Sequence, residues 1–296
     1  MTKKIVIGLI CLFVVSLIGA GIVYATNEDA DLFQTITVNK EKSYSIENVN
    51  KIKIGTASAD LKIHLVDGDE VSLKYHGKIN CLLCNINNKL ETNKKGDTIT
   101  FEPSSNYIGL VVYSNLIMDL YLPKEYQESI IIDVMSSDIY LENLSLKKLS
   151  IETVSGDIEL KDIITKEELS LNTVSGDIEL EKISANIVFD TTSGNVEAWE
   201  IAGNFIGETV SGDVEVSIIN DNFITDIATV SGDVIVALKE NVDFDFTINT
   251  VSGDIEIKYR YLVNKYNDDD KVAGTVGNDS NNNVKIKTIS GDILLK

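Results

Sequence analysis

The sequence predicts an all-β fold: a single-stranded β-solenoid, or β-helix-like stack, of coils near 20 residues long. One N-terminal transmembrane helix precedes it. Three observations carry this prediction. An eight-residue phrase recurs down the second half, first as Thr153-Val-Ser-Gly-Asp-Ile-Glu-Leu160 and next as Thr173-Val-Ser-Gly-Asp-Ile-Glu-Leu180. Apolar and polar residues alternate on both sides of each Ser-Gly-Asp. Lys3 and Lys4 are followed by an uncharged, mostly apolar run from Ile5 to Ala25.

The central glycines are Gly156, Gly176, Gly194, Gly212, Gly232, Gly253 and Gly291, with gaps of 20, 18, 18, 20, 21 and 38 residues. After them stand Asp157, Asp177, Asn195, Asp213, Asp233, Asp254 and Asp292. In one unit Leu149, Ile151 and Thr153 share a parity, as on a half-buried strand, and Ile158 and Leu160 resume on the other parity. One residue must be absorbed between them. Gly156 is the natural place, because glycine accepts φ > 0 and makes a corner or bulge. Ser155 and Asp157 are placed to hydrogen-bond the bent backbone. Each unit is therefore strand, corner, strand and short return. A single coil cannot bury its own apolar side, whereas stacked coils with strands ~4.8 Å apart can.

The pattern extends backwards. Ser136-Ser137-Asp138 follows Ile130, Ile132 and Val134, and Ser58-Ala59-Asp60 follows Ile52 and Ile54 with alanine in the glycine slot. The chain accordingly divides into an anchor or signal segment (1–26), a linker (27–44) and a solenoid domain (45–296). Within the domain Thr98–Phe101 and Leu116–Leu122 read as strands. The last gap is filled by an insertion at 264–283 that contains Asp268-Asp-Asp270 and Asn278-Asp-Ser-Asn-Asn-Asn283, a solvated composition.

The Ile5–Ala25 run is long enough to span a bilayer. It also ends Val23-Tyr-Ala25, small residues at both positions that a signal peptidase reads. A retained anchor and a cleaved signal are both open, and the greater length favours the anchor. Either way residues 27–296 lie outside the cytoplasm. All 46 acidic residues fall there, and only Lys3 and Lys4 of the 26 basic ones do not. This charge excludes nucleic acid and anionic membrane surfaces as partners, and serves solubility.

Several groups are candidates for chemistry. Stacked in register, Asp138, Asp157, Asp177, Asp213, Asp233 and Asp254 form an acidic ladder. Unit charges ~5 Å apart repel by about 0.8 kcal/mol in water, so the ladder must be solvated, hydrogen-bonded or neutralised. Calcium is the sharp alternative, but Asn195 keeps the acceptor without the charge, as a structural turn tolerates. Cys81 and Cys84 lie outside the cytoplasm, where cysteines usually oxidise. Residues three apart face opposite sides of a flat strand, so a disulfide between them needs a turn. Free thiols, or a zinc or copper cluster with His64 and His76, are the alternatives. Lys258-Tyr-Arg-Tyr261, Tyr266 and Trp199 could stack on sugar rings or cover core edges. No catalytic residues, cofactor or metal site are assigned. A carbohydrate-active enzyme on a β-helix, with Arg260 or Tyr261 beside clustered acids, remains the enzymatic alternative, and a structural spacer the third.

The repeat, preceded by a strand ending Leu122-Pro123-Lys124, resembles the bacterial domain family labelled "putative adhesin", which includes the LiaG-like membrane-anchored proteins of envelope-stress operons and the toastrack domains. The resemblance covers residues 45–296. It implies a non-catalytic extracytoplasmic scaffold of the cell envelope, adhesin-like or stress-associated, held in the cell membrane by a single pass. Cell-surface glycans are candidate ligands. Ser290-Gly-Asp-Ile-Leu-Leu-Lys296 has no evident cap, so self-association or a protein partner is expected at that coil.

Overall fold

The computed structural model describes residues 12–16, 19, 33–268, 270–278 and 281–296, leaving aside the side chains of 33, 83–86, 105–109 and 263–268. The described residues from 33 onward are all-β, with 22 strands. Among the described residues no helix is long and apolar enough to cross a membrane. Most of the expected 5–25 span lies outside the described residues, and Leu12–Ser16 is helical and exposed.

Two compact units are present. The smaller comprises 1–38, 77–88 and 105–115, and takes in the middles of two 26-residue strands, Glu70–Lys95 and Thr98–Pro123. Val38, Ile79 and Cys81 are buried within it, and Thr35 Oγ1 donates to Asn80 Oδ1 at 2.8 Å.

The larger unit (39–76, 89–104 and 116–296) holds the repeats. Each coil gives one strand before its corner and one after it, and these form two parallel ladders. On the first ladder Thr153, Thr173, Thr191, Thr209 and Thr229 stand in register. On the second the row is Ile139, Ile158, Ile178, Val196, Val214 and Val234. Alternation sends Leu149, Leu169, Ile187 and Phe205 inward with those residues, all fully buried. Gly207 lies opposite Phe189, and a Cβ there would overlap the Phe189 ring. The missing side chain makes room for the large one.

The corner glycines differ from expectation. Gly156, Gly176, Gly194, Gly212, Gly232 and Gly291 do not have φ in the left-handed range. They are glycines because the coils touch there. A Cβ on Gly176 would overlap the carbonyl oxygen of Gly156, one on Gly194 that of Gly176, and one on Gly212 that of Gly194. Positive φ falls instead at a second corner, after the second strand, on Asn143, Asp162, Lys182 and Glu200, with φ between 52° and 58°. These side chains carry the left-handed cost of about 1–2 kcal/mol each. Short returns follow, where Ile163 pairs with Ile183 and Ile201 with Ile218.

Chain order and stacking order part company at both ends. Thr98–Phe101 lies outside Lys51–Ile54, and Ile117–Pro123 outside Asp60–Val66. The Ala59 coil is therefore second in the stack, against Ser129–Val134. At the other end the C-terminal coil is not terminal in space. Asn283–Lys287 is inserted between Ile224–Ser231 and Phe244–Asn249, and Ile293–Leu295 between Val234–Leu238 and Ile255–Ile257. The expected uncapped edge at 290–296 is thus paired on both sides, because the chain reverses before laying it down.

That reversal is the 264–283 insertion, expected as a solvated loop. Leu262–Asp268 and Lys271–Val276 form an antiparallel pair whose second strand covers Phe244–Asn249. Val272 and Ala273, on that second strand, are buried. Asn282, from the polar run, is buried as well. Its Nδ2 donates to the carbonyls of Asp221 and Asp243, both at 2.9 Å, and its Oδ1 accepts from Phe223 N at 3.0 Å. This amide joins the inserted coil to both of its neighbours.

Gly212→Ala should destabilise by about 3 kcal/mol, since only coil separation relieves an overlap with backbone. Urea unfolding followed by circular dichroism measures this.

Candidate functional site

The corner acids make hydrogen bonds between coils rather than within them. Asp138 Oδ1 accepts from the amide of Asp157 at 3.1 Å, Asp157 Oδ1 from Asp177 at 3.0 Å, and Asp177 Oδ1 from Asn195 at 2.8 Å. Asn195 Oδ1 accepts from Asp213 at 3.0 Å, and Asp213 Oδ1 from Asp233 at 2.8 Å. The column then follows spatial order: Asp233 Oδ1 accepts from Asp292 at 2.7 Å, and Asp292 Oδ1 from Asp254 at 2.8 Å. A reciprocal bond runs alongside, for example Ile158 N to Asp177 O and Ile178 N to Asn195 O, both 2.9 Å. Oδ1 is the atom used throughout, so a neutral amide serves as well as a carboxylate. Among the described residues no group of three or more His, Cys, Asp or Glu side chains is placed to hold a metal ion.

Both histidines converge on one carboxylate. His64 Nε2 is 2.7 Å from Asp119 Oδ1 and His76 Nε2 is 2.7 Å from Asp119 Oδ2. Burial pushes the Asp119 carboxyl up, but the hydrogen bonds from His64 and His76 outweigh it and hold the group below its ordinary value of 3.8. The His64 ring stacks on Tyr121 with centroids 5.2 Å apart. The histidines thus spend Nε2 on Asp119. Cys81 is buried and disulfide-bonded, so its sulfur is not a thiolate ligand. The side chain of Cys84, its expected partner, lies outside the described residues.

The aromatic candidates separate. Tyr259 and Tyr261 stand edge-on to Phe244 and Phe246, each with centroids 5.2 Å apart, and cover the core. Tyr266 lies outside the described side chains. Trp199, the single tryptophan, is 41% exposed. It stands beside Glu181 on the outer face of the second ladder, with Lys161 next in that row. The adjoining row is Glu159, Glu179, Glu197 and Glu215. Lys161 Nζ reaches Glu181 Oε2 at 2.7 Å. Glu215 apart, these side chains line a groove of ≈ 510 Å³. One sequence signal points to it: glutamate recurs three residues after Gly156, Gly176, Gly194 and Gly212, a position that alternation turns outward. The groove offers a flat aromatic face bordered by hydrogen-bond acceptors.

Comparison with known proteins gives a family and a set of structures. The sequence model of the family described as Toastrack DUF4097 matches residues 49–296. No protein of curated function matches the chain. Among solved structures, a "putative cell adhesion protein" from Clostridium sporogenes ATCC 15579 is 14% identical with a TM-score of 0.26, over 88% of this chain and 99% of that one. A "putative adhesin" from Bacteroides fragilis NCTC 9343 is 13% identical with a TM-score of 0.47, over 89% and 97%. Another from Parabacteroides distasonis ATCC 8503 is 10% identical with a TM-score of 0.41, over 87% and 97%.

Asp213→Asn should leave stability within about 0.5 kcal/mol of the parent, whereas Asp213→Ala should cost about 1–2 kcal/mol by leaving the Asp233 amide without its acceptor. Thermal melting of the two variants distinguishes an acceptor column from a charge column.

Proposed function

Since the chain belongs to the Toastrack DUF4097 family, we propose that it is a non-catalytic, adhesin-like binding scaffold of the cell envelope, a β-solenoid carried outside the cytoplasm. The Ile5–Ala25 run behind Lys3 and Lys4 holds it to the membrane and leaves residues 27–296 outside. Parallel ladders with hydrogen-bonded corners fix the outward side chains at the spacing of the coils, as a recognition surface requires.

The observation that carries the binding role is Trp199 exposed in a groove walled by Glu159, Glu179, Glu181 and Glu197. An indole bordered by carboxylates suits the apolar face and hydroxyl or amino groups of a sugar ring. A formal charge of −20 disfavours acidic polysaccharides. The ligand class is therefore a neutral or amino-sugar glycan of a cell surface.

Trp199 is its own reporter, being the only indole in the protein. Titrating the full chain with neutral or amino-sugar cell-wall oligosaccharides should shift and quench its fluorescence, and Trp199→Ala should lower affinity at least tenfold without altering the melting temperature. Unchanged fluorescence at saturating glycan, or full binding by the Ala variant, contradicts this reading.

A further inference from the structure

The last coil in space is the one built from Phe244–Asn249 and Ile255–Ile257. Its first strand is covered by Lys271–Val276. Its second is open: among the described residues Ile255–Ile257 pairs only with Ile293–Leu295. Ile255 and Ile257 are half-buried, while the residues beside them in the stack, Ile293 and Leu295, are essentially inaccessible. The acid column also ends here. Asp254 gives its amide to Asp292 and its carbonyl to Ile293 N, and among the described residues its carboxylate accepts no amide. An open strand with a half-buried apolar row beneath it is an edge that pairs with another chain.

The segment leading out of that strand says which chain. From Asp254 to Tyr261 exposure alternates: Asp254, Glu256, Lys258 and Arg260 are exposed, and Ile255, Ile257, Tyr259 and Tyr261 are half-buried. The outward row is acidic before Ile257 and basic after it. An antiparallel pair opposes residues equidistant from its centre and on the same face. Centred on Ile257, two copies of this segment place Glu256 opposite Lys258 and Asp254 opposite Arg260, each twice. Ile255 then faces Tyr259, and Ile257 faces itself. Every charge meets its opposite and every apolar residue an apolar one. A shift of one residue along each strand, centring on Glu256, would oppose two glutamates, so this register is the one the charges select.

We propose that the open strand Ile255–Ile257 and the residues flanking it, Asp254 and Lys258–Arg260, pair antiparallel, about Ile257, with the same segment of a second copy of this chain, the bend at Tyr259 straightening on pairing. The contact is isologous and therefore closes at two copies. Lys258 Nζ now stands 3.5 Å from Glu256 Oε1 of its own chain, and pairing exchanges that exposed contact for one across the two-fold axis. The inference does not rest on the glycan reading, since neither Trp199 nor its groove takes part.

Light scattering on the full chain in detergent micelles, with the micelle mass subtracted, should give twice the chain mass. Lys258→Glu/Arg260→Glu makes the outward row wholly acidic, and Asp254→Lys/Glu256→Lys makes it wholly basic. Each variant alone should be monomeric, and an equimolar mixture should recover the dimer. Circular dichroism melts matching the parent show that loss of the dimer is not loss of the fold. A monomeric parent, dimers in either variant alone, or a mixture that stays monomeric would overturn the proposal.

Discussion

The contact on which the structure depends is that of a corner glycine with the carbonyl oxygen of the corner beneath it. A Cβ at this place would overlap backbone in every coil from Gly156 to Gly253, so the coils approach as closely as backbone allows. Close approach in turn brings each Asp or Asn Oδ1 within reach of the next corner's amide, at 2.7–3.1 Å. Corner and ladder lock each other, and side chains beyond the corner inherit the same register. The glutamate row beside Trp199 is aligned for that reason, with no contact among the glutamates needed to align it.

The same constraint explains how the ends are built. A coil is stabilised by neighbours on both faces, and the outermost coils have one each. The chain meets this by threading out of order: Thr98–Pro123 closes one end over the Ala59 coil, and the Gly253 coil closes the other over the C-terminal one. The final residues complete the interior. Asn282, bonded to Asp221, Phe223 and Asp243 at once, fixes the place where they enter. Placing the last coil closes long loops in the chain, which is costly in entropy.

Much of this was legible in the sequence, because the repeat is a surface pattern. Parity on either side of Ser-Gly-Asp marked the two strands and their buried faces, and Ala59 marked a coil, first in sequence though second in the stack, despite its lost glycine. The cause assigned to the glycines was wrong: a single coil shows only that a corner exists, whereas the overlap lies between coils. The threading was hidden because the 38-residue gap fits a looped-out excursion and a chain reversal equally well by length. Asn278–Asn283 reads as solvated on composition, yet one of its asparagines is a buried clamp, and composition carries no information on which. The histidines were seen as a pair but not with Asp119, which is 43 residues beyond His76 and meets them only through the ladder. The glutamate row and Trp199 could have been joined from the repeat by reading the outward positions three and five residues past each glycine.

Amide hydrogen exchange tests the stack order most directly. The amides of Asp292 and Ile293 are bonded to Asp233 and Asp254 respectively and should be protected as strongly as those of Asp177 and Ile178. Rapid exchange throughout 288–296 would place the C-terminal coil at the end of the stack and contradict the account.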